Sequence, residues 1–225
     1  LIVLAPNSVQ EMHDFVADAF ELAFKYRNPA MILADGCIGQ MMEKVVLAPQ
    51  RPRKTKEEIA AECKSWALIG KTDDRERNVI TSLELKSEVM EVNNQRLQAK
   101  YRTMEENEVR YEAIQCEDAD YVIVAFGSSS RICSATVEMA RAEGIKLGLL
   151  RPITLYPFPK KPIEELAARG VKGFLCAELN AGQMVEDVRL AVNGKAPVEH
   201  YGRLGGMLFS PDEVFKALKE KLINR

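Results

Sequence analysis

The sequence lacks the residue patterns that usually hold a metal or a triad. Its five cysteines lie 26, 53, 17 and 43 positions apart, so no Cys-x-x-Cys pair indicates a zinc ribbon or an iron–sulfur cluster. Two histidines, His13 and His200, leave little material for a histidine-rich metal site or a Ser-His-Asp triad. We therefore expect a cofactor or another chain to supply any chemistry, and we expect no metal site in this chain.

Excess charge and long apolar runs are also missing. The 225 residues include 31 Lys+Arg and 33 Asp+Glu, a net charge of −2, so there is no basic excess to bind nucleic acid. No apolar run approaches the roughly 18 residues that a membrane-spanning helix needs. Scattered cysteines in odd number fit reduced thiols. These features predict a soluble, cytoplasmic protein that binds neither nucleic acid nor a membrane.

What is present is ordinary globular composition, with 47% hydrophobic and 28% charged residues. Residues 1–48 predict a strand at Leu1–Ala5, a helix opened by Ser8 and Glu11 at capping-box spacing, and a second strand at Ala30–Ala34. This strand–helix–strand unit is too small to be a whole domain. The chain also begins on a strand without Met, so we expect a fragment of a longer protein whose strand unit exposes an edge.

Residues 49–118 predict a charged connector. Thr55 and Glu58 have capping-box spacing at the start of a short helix. Farther on, apolar residues recur every seven positions, which predicts one long amphipathic helix carrying Leu83, Met90, Leu97, Met104 and Tyr111. The companion heptad positions are polar, so this pattern favours a surface helix over a coiled coil.

Residues 119–225 predict an α/β domain. Four apolar strand runs, beginning with Tyr121–Phe126, alternate with four helices, and Ser210-Pro211 with Glu213 marks the start of the last helix. Such alternation is typical of a parallel, doubly wound sheet. The helices are expected at 131–143, 162–169, 182–192 and from Pro211 to Leu222.

Two strand-to-helix turns are candidate contact sites for an anion or for another subunit. Gly127, Ser128, Ser129 and Ser130 follow the first strand, where open α/β sheets bind anions. Small residues let backbone amides approach a phosphate, but neither the Gly-x-Gly-x-x-Gly nor the Gly-Lys-Ser/Thr pattern is present. The alternative is that Ser130 caps the helix and the glycine only makes the turn.

The second turn contains Glu178, Asn180, Gly182 and Gln183, after a strand that ends at Ala177. Polar groups concentrated there favour a surface for a ligand or a subunit. Asn180 is equally well explained as a helix cap. Asp35 also follows a strand, and capping is the better explanation for it.

Several runs resemble one family. Arg151–Pro159 (RPITLYPFP) resembles the signature of the transketolase C-terminal-like domain of 2-oxoacid:ferredoxin oxidoreductases, and Glu178–Gln183 (ELNAGQ) resembles the next motif. Ala5–Glu11 (APNSVQE), Ala19–Ala23 and Tyr26–Asp35 are similar to the latter part of the pyrimidine-binding domain of the same subunit. The resemblance spans essentially the whole chain. Its branch looks most like the α subunit of the 2-oxoisovalerate type, with the 2-oxoglutarate type next.

This resemblance implies a thiamine-diphosphate-dependent enzyme that decarboxylates a 2-oxo acid, passes electrons to ferredoxin and gives the acyl group to coenzyme A. It implies a hetero-oligomer in which a β subunit holds the diphosphate and Mg²⁺ and the [4Fe-4S] clusters lie in partner chains. The further partners it implies are ferredoxin-like and γ subunits and ferredoxin itself. The glutamate that activates thiamine belongs to motifs upstream of residue 1. No catalytic or cofactor-binding residue is therefore expected here, and we expect the fragment alone to bind no cofactor and to be inactive.

Three other interpretations stay open at this point. The chain could be the β chain of a pyruvate-dehydrogenase-like or transketolase-like enzyme, which shares this C-terminal domain, although Arg151–Pro159 favours the ferredoxin branch. It could be a non-catalytic interaction or scaffold module. It could also be a regulatory domain that binds a nucleotide at Gly127–Ser130, in which case the nucleotide should protect the fold against heat.

Overall fold

The structure is a computed structural model that describes residues 1–50, 52–71 and 73–224. The chain forms two compact units, one of Leu1–Val46 with the residues from Arg102 onward and one of Leu47–Tyr101. The strands of the described residues are β1 (Ile2–Leu4), β2 (Ala30–Ile32), β3 (Tyr111–Ile114), β4 (Tyr121–Val124), β5 (Leu147–Pro152), β6 (Thr154–Tyr156), β7 (Gly173–Glu178) and β8 (Val198–Gly202). The helices are α1 (Val9–Tyr26), α2 (Gly36–Gln40), α3 (Lys56–Cys63), α4 (Ser87–Asn107), α5 (Gly127–Ala142), α6 (Lys160–Ala168), α7 (Met184–Val192) and α8 (Pro211–Leu218), which continues into a π-helical turn, Lys219–Ile223.

The five-stranded sheet has the order β3-β5-β4-β7-β8, and all neighbours are parallel except β3, which runs antiparallel to β5. Side chains of β4 alternate between its faces: Val122 and Val124 pack with α6 and α7, whereas Ile123 packs with α5 and α8. Helices thus cover both faces. The predicted parallel, doubly wound α/β fold is confirmed, with one antiparallel edge strand that the sequence analysis missed.

The smaller sheet has the order β2-β1-β6. Strands β1 and β2 are parallel, as predicted, with Ile2 opposite Ala30. Strand β6 pairs antiparallel with β1 and places Val3 opposite Tyr156, so β1 is the central strand and β2 lies at an edge of this sheet. Only three residues of the Pro-rich Arg151–Pro159 run form this strand, too few to show an alternating pattern.

The long helix is shorter than the seven-residue repeat predicts. Leu83 precedes α4, and Tyr111 lies in β3, opposite Pro152 of β5. The repeat continues past the helix end by coincidence, since backbone pairing to β5 decides the conformation of Tyr111. Within α4 the buried side chain among the predicted positions is Met104.

The unit Leu47–Tyr101 contains α3, whose start confirms the predicted capping box. Thr55 accepts a hydrogen bond from the Glu58 N–H, and the Glu58 side chain accepts one from the Thr55 N–H. Arg75 then ties the following loop back to the end of α3, because its guanidinium donates to the carbonyls of Lys64 (2.5 Å) and Ala67 (3.0 Å).

Three helices of the doubly wound domain begin at other residues than predicted. Helix α5 begins at Gly127 instead of Arg131, α6 at Lys160 instead of Pro162, and α7 at Met184 instead of Gly182. None of the three has a side-chain hydrogen bond from its own N-cap residue. The local sequence therefore carries no capping signal for them. Helix α8, by contrast, begins at Pro211 behind a complete Ser210–Glu213 capping box, as predicted.

Candidate functional site

The first turn of α5 holds a carboxylate from the N-terminal segment. The Ser128 N–H donates to Asp35 Oδ2 (2.8 Å), and the Ser128 hydroxyl donates to Asp35 Oδ1 (2.7 Å). Gly127 has a φ of +58°, and a Cβ at that position would lie 2.9 Å from Asp35 Oδ2. The small residues therefore allow a close approach of an anion, and in this structure the anion is the side chain of Asp35.

Asp35 also caps α2. Its Oδ1 accepts hydrogen bonds from the N–H groups of Cys37 (3.1 Å) and Ile38 (3.0 Å). Burial works to raise the pKa of Asp35, but the hydrogen bonds from Ile38, Ser128 and Cys37 outweigh it and lower the pKa below its usual range. The side chain is thus a carboxylate that serves the starts of two helices at once.

Glu178, at the end of β7, caps α7 in the way that Asp35 caps α2 and α5. Its side chain is buried, with the residue 2% exposed. The carboxylate accepts hydrogen bonds from the N–H groups of Gln183 (3.2 Å), Met184 (2.8 Å) and Val185 (3.0 Å) at the start of α7. Glu178, not Asn180, is therefore the cap of this helix.

Asn180 shapes the turn between β7 and α7. Its Oδ1 accepts a hydrogen bond from the Gly182 N–H (2.7 Å), and Gly182 has a φ of +104°. Gly202 of β8 passes so close that an added Cβ would overlap the Asn180 carbonyl oxygen and lie 2.6 Å from His200 Cε1. His200 Nε2 lies 3.9 Å from Glu178 Oε1, beyond hydrogen-bond distance.

A crevice of about 180 Å³ joins the two predicted turns at the carboxyl ends of β4 and β7. The strand order reverses at this point, which is where open α/β sheets bind ligands. Of the eight residues named by the sequence analysis, Gly127, Ser129, Glu178 and Asn180 line the crevice. Asp35, for which a cap was the favoured prediction and ligand binding the alternative, caps α2 and also lines the crevice. The residues that line the crevice do not include the other four named residues, Ser128, Ser130, Gly182 and Gln183.

The chemistry of the crevice is set by its two carboxylates. The backbone donors of Ser128 and of Gln183, Met184 and Val185 point at Asp35 and Glu178. An added anion would have to displace a carboxylate to reach these donors. The crevice is also smaller than the roughly 300–1,000 Å³ of most ligand pockets.

A buried arginine joins residues 1–46 to the doubly wound domain within one compact unit. Arg151 is 3% exposed and forms ion pairs with Glu11 at the start of α1 and with Glu112 of β3, the latter at 3.1 Å. Its guanidinium also donates to the Ala5 carbonyl (3.4 Å). Sequence reasoning singled out Arg151 only as part of a motif. The signal that could have found it is a charged residue within an otherwise apolar strand.

The three buried cysteines, Cys116, Cys133 and Cys176, are not activated nucleophiles in this structure. Burial raises the pKa of Cys116 to about 11 and also raises the pKa of Cys133 and Cys176. Within the described ranges, no three His, Cys, Asp or Glu side chains are grouped so as to hold a metal ion. Nor does any described helix have the length and apolarity to cross a membrane.

Fold and site together define the class. It is a doubly wound α/β domain that packs with a small mixed sheet, and carboxylates of its own chain occupy the donors at its strand-end crevice. Comparisons with known proteins agree with this class. The family model for the thiamine-diphosphate-binding domain of pyruvate flavodoxin/ferredoxin oxidoreductase matches residues 1–113, and the model for core domain II of pyruvate:ferredoxin oxidoreductase matches residues 119–214. The chain therefore belongs to the 2-oxoacid:ferredoxin oxidoreductase family.

Curated relatives match almost the whole chain. Ketoisovalerate oxidoreductase subunit VorB of Methanothermobacter marburgensis is 48% identical over 219 residues, which cover 97% of this chain and 60% of the relative. The 2-oxoglutarate synthase subunit KorA of the same organism is 31% identical and covers 97% of this chain and 63% of the relative. The chain thus spans less than two thirds of the length of these relatives.

A solved structure supports the fold. A chain of the 2-oxoglutarate:ferredoxin oxidoreductase from Magnetococcus marinus, determined with 2-oxoglutarate, coenzyme A and succinyl-CoA bound, superposes with a TM-score of 0.74. The match covers 97% of this chain and 42% of that chain at 20% identity. At this identity the likeness concerns architecture alone.

Proposed function

We propose that this chain forms part of the α-type subunit of a thiamine-diphosphate-dependent 2-oxoacid:ferredoxin oxidoreductase that acts on 2-oxoisovalerate, with 2-oxoglutarate as the next candidate substrate. The observation that carries the proposal is a difference in sequence identity between two relatives that both match 97% of this chain. The identity is 48% to the ketoisovalerate subunit and 31% to the 2-oxoglutarate subunit. The reaction would yield an acyl-CoA, carbon dioxide and reduced ferredoxin.

The residues of this chain do not by themselves fit thiamine diphosphate and Mg²⁺. The strand-end crevice is small, its backbone donors are taken by Asp35 and Glu178, and the described residues offer no metal-binding cluster. We therefore derive no catalytic step on these residues. In the proposal a partner β subunit holds the diphosphate and Mg²⁺, and the [4Fe-4S] clusters lie in partner chains. Ferredoxin-like and γ subunits complete the assembly, and coenzyme A and ferredoxin are co-substrates.

The part played by this chain is to hold the pyrimidine-binding segment against its C-terminal domain. Asp35 bonds the start of α5, and Arg151 bonds the start of α1, so both ends of residues 5–35 are fixed to the doubly wound domain. Ionic and hydrogen-bonded contacts of this kind fix an orientation better than apolar packing alone. The division into residues 1–48, 49–118 and 119–225 as functional segments remains part of the proposal.

One observation favours a second candidate, a non-catalytic scaffold module. The donors at the strand-end crevice are satisfied within the chain, as they would be in a domain that binds no anion there. The same observation speaks against the nucleotide-binding alternative. A β chain of a pyruvate-dehydrogenase-like enzyme receives no support, because both family models that match are those of ferredoxin-dependent enzymes.

The test is a substrate comparison on the native assembly that contains this polypeptide. Ferredoxin reduction is measured with coenzyme A and either 2-oxoisovalerate, 2-oxoglutarate or pyruvate. We expect kcat/KM to be highest for 2-oxoisovalerate, by about tenfold or more, because substrate side-chain shape is worth that much in a fitted pocket. A preference for 2-oxoglutarate would overturn the substrate assignment, and no reduction with any of the three would overturn the proposed function.

A further inference from the structure

A second concavity, far larger than the crevice, lies on the doubly wound domain. The proposed function gives it no role. It is an open groove of about 800 Å³. Its walls are the end of α4, the strands β3 and β6, the start of α6 and one residue of α7. This volume is within the range of protein ligand sites, whereas the crevice is below it.

Aromatic side chains line the groove. Tyr111 of β3, Tyr156 of β6 and Phe158 contribute three rings, two of them from the Arg151–Pro159 motif. Tyr111 is 44% exposed although it lies on a strand. Aromatic rings offer apolar area together with an electron-rich face, so they bind methylene chains and cationic groups.

Carboxylates surround these rings. The lining residues include five acids, Glu105, Glu106, Glu164, Glu165 and Asp187, and two bases, Lys160 and Lys161, a net charge of −3. Among the described residues none of these five carboxylates lies within ion-pair distance of a cation. Elsewhere in the same unit half-buried acids are paired, as Asp18 is with Arg110 at 2.6 Å.

Asp187 is the half-buried acid of this groove. Burial raises its pKa, and nearby Glu186 and Glu178 raise it further, while Lys160 lowers it. Asp187 lies on α7, facing the Lys160 end of α6. The groove thus carries an excess of negative charge next to apolar side chains.

We propose that this groove is the docking site for an arginine- or lysine-bearing peptide segment of a partner subunit. Charge complementarity selects a cation, and the three rings select one carried on an apolar stem next to apolar side chains. Arginine in an aromatic pocket with a polar rim is the usual composition of an interface hot spot. The proposal rests on the proposed function only in taking the partner to be a subunit of the oxidoreductase assembly.

The test titrates the 225-residue chain with the peptide acetyl-Leu-Arg-Leu-Arg-amide, followed by calorimetry at low salt. The acidic peptide acetyl-Leu-Glu-Leu-Glu-amide and the polyamine spermine are the comparison probes. We expect the arginine peptide to bind, the acidic peptide not to bind, and spermine to bind at least tenfold more weakly because it has no apolar side chain. Binding of the arginine peptide should weaken as salt is raised.

Two variants locate the binding. Glu105→Gln with Glu106→Gln should weaken the arginine peptide roughly three- to tenfold, because each partly exposed ion pair contributes modestly. Tyr111→Leu keeps an apolar strand residue but removes a ring and should also weaken it. The matched control, Glu117→Gln with Glu138→Gln, removes two exposed carboxylates outside the groove and should leave affinity unchanged.

Three results would overturn the proposal: no binding of the arginine peptide, equal binding of spermine, or equal weakening by the control pair. Each of these leaves the proposed function standing, because none involves 2-oxo acid turnover. Failure of the substrate comparison, in turn, would leave the peptide result intact. The two proposals therefore fail separately.

Discussion

At the scale of single residues, two side chains connect parts of the sequence that are more than 90 positions apart. Asp35 accepts hydrogen bonds at the starts of α2 and α5, and Arg151 pairs with Glu11 and Glu112. Each group is held by more than one partner. Removing either one therefore leaves several polar groups unsatisfied at once, which costs more than the loss of one contact.

Asp35→Asn is the first residue-scale prediction. The amide keeps the size of the side chain but loses the charge that several N–H donors stabilise, so we expect a loss of about 1–2 kcal/mol in the free energy of unfolding at pH 7. Chemical denaturation measures it. Glu138→Gln, an exposed acid on α5, is the control and should change stability by less than about 0.5 kcal/mol.

The same variant has a defined pH dependence. The folded pKa of Asp35 is lowered, so its stabilisation is complete above the unfolded pKa near 4 and is lost as the pH falls through the folded value. The difference in stability between the original protein and Asp35→Asn should therefore shrink below about pH 4. An equal difference at pH 7 and pH 3 would contradict this assignment.

Arg151→Leu is the second residue-scale prediction. It removes the partner of Glu11 and Glu112, whose side chains are partly exposed, and we expect a loss of about 1–3 kcal/mol. Arg151→Leu with Glu11→Gln should recover part of that loss, because one uncompensated charge is removed as well. Urea unfolding measures the free energy of unfolding of both variants, and Arg189→Leu, at an exposed position, is the control. If the double variant is less stable than the single one, the ion pair is not what Arg151 contributes.

At the scale of elements, a helix or strand could be predicted from the sequence when the contact that fixes it joins residues close in sequence. Helix α8 was placed correctly because Ser210, Pro211 and Glu213 are adjacent in sequence. The start of α5 was missed because its capping carboxylate comes from Asp35, 93 positions away. Strand β6 was missed for the same physical reason, since only its pairing with β1 makes it a strand.

Gly202→Ala is the element-scale prediction. An added Cβ would overlap the Asn180 carbonyl oxygen and meet the His200 ring, and a backbone atom cannot turn aside as the end of a flexible side chain can. We expect a loss of at least about 2 kcal/mol, measured by thermal unfolding. Gly39→Ala is the matched control, because open space surrounds that helical position and alanine favours helix. A loss no larger than in the control would show that the turn is not packed as described.

At the scale of the whole molecule, the sequence allowed the α/β class and the family to be predicted, and the candidate site only in part. Glu178 and Asn180 were found because polar residues at a strand end stand out from an apolar run. Their meeting with Asp35 in one crevice was not predictable, since it depends on how the two segments of the unit pack. The family relation supports the proposal that the cofactor chemistry belongs to an assembly.

The most direct measurement of the central claim, that the assembly binds thiamine diphosphate and this chain alone does not, is a calorimetric titration with thiamine diphosphate and Mg²⁺. It is run on the 225-residue chain alone and on the native assembly. For the chain alone we predict no binding tighter than about 1 mM, equivalent to about −4 kcal/mol, because its crevice donors are occupied. For the assembly we predict binding that is at least a hundredfold tighter. Tight binding by the isolated chain would contradict the account.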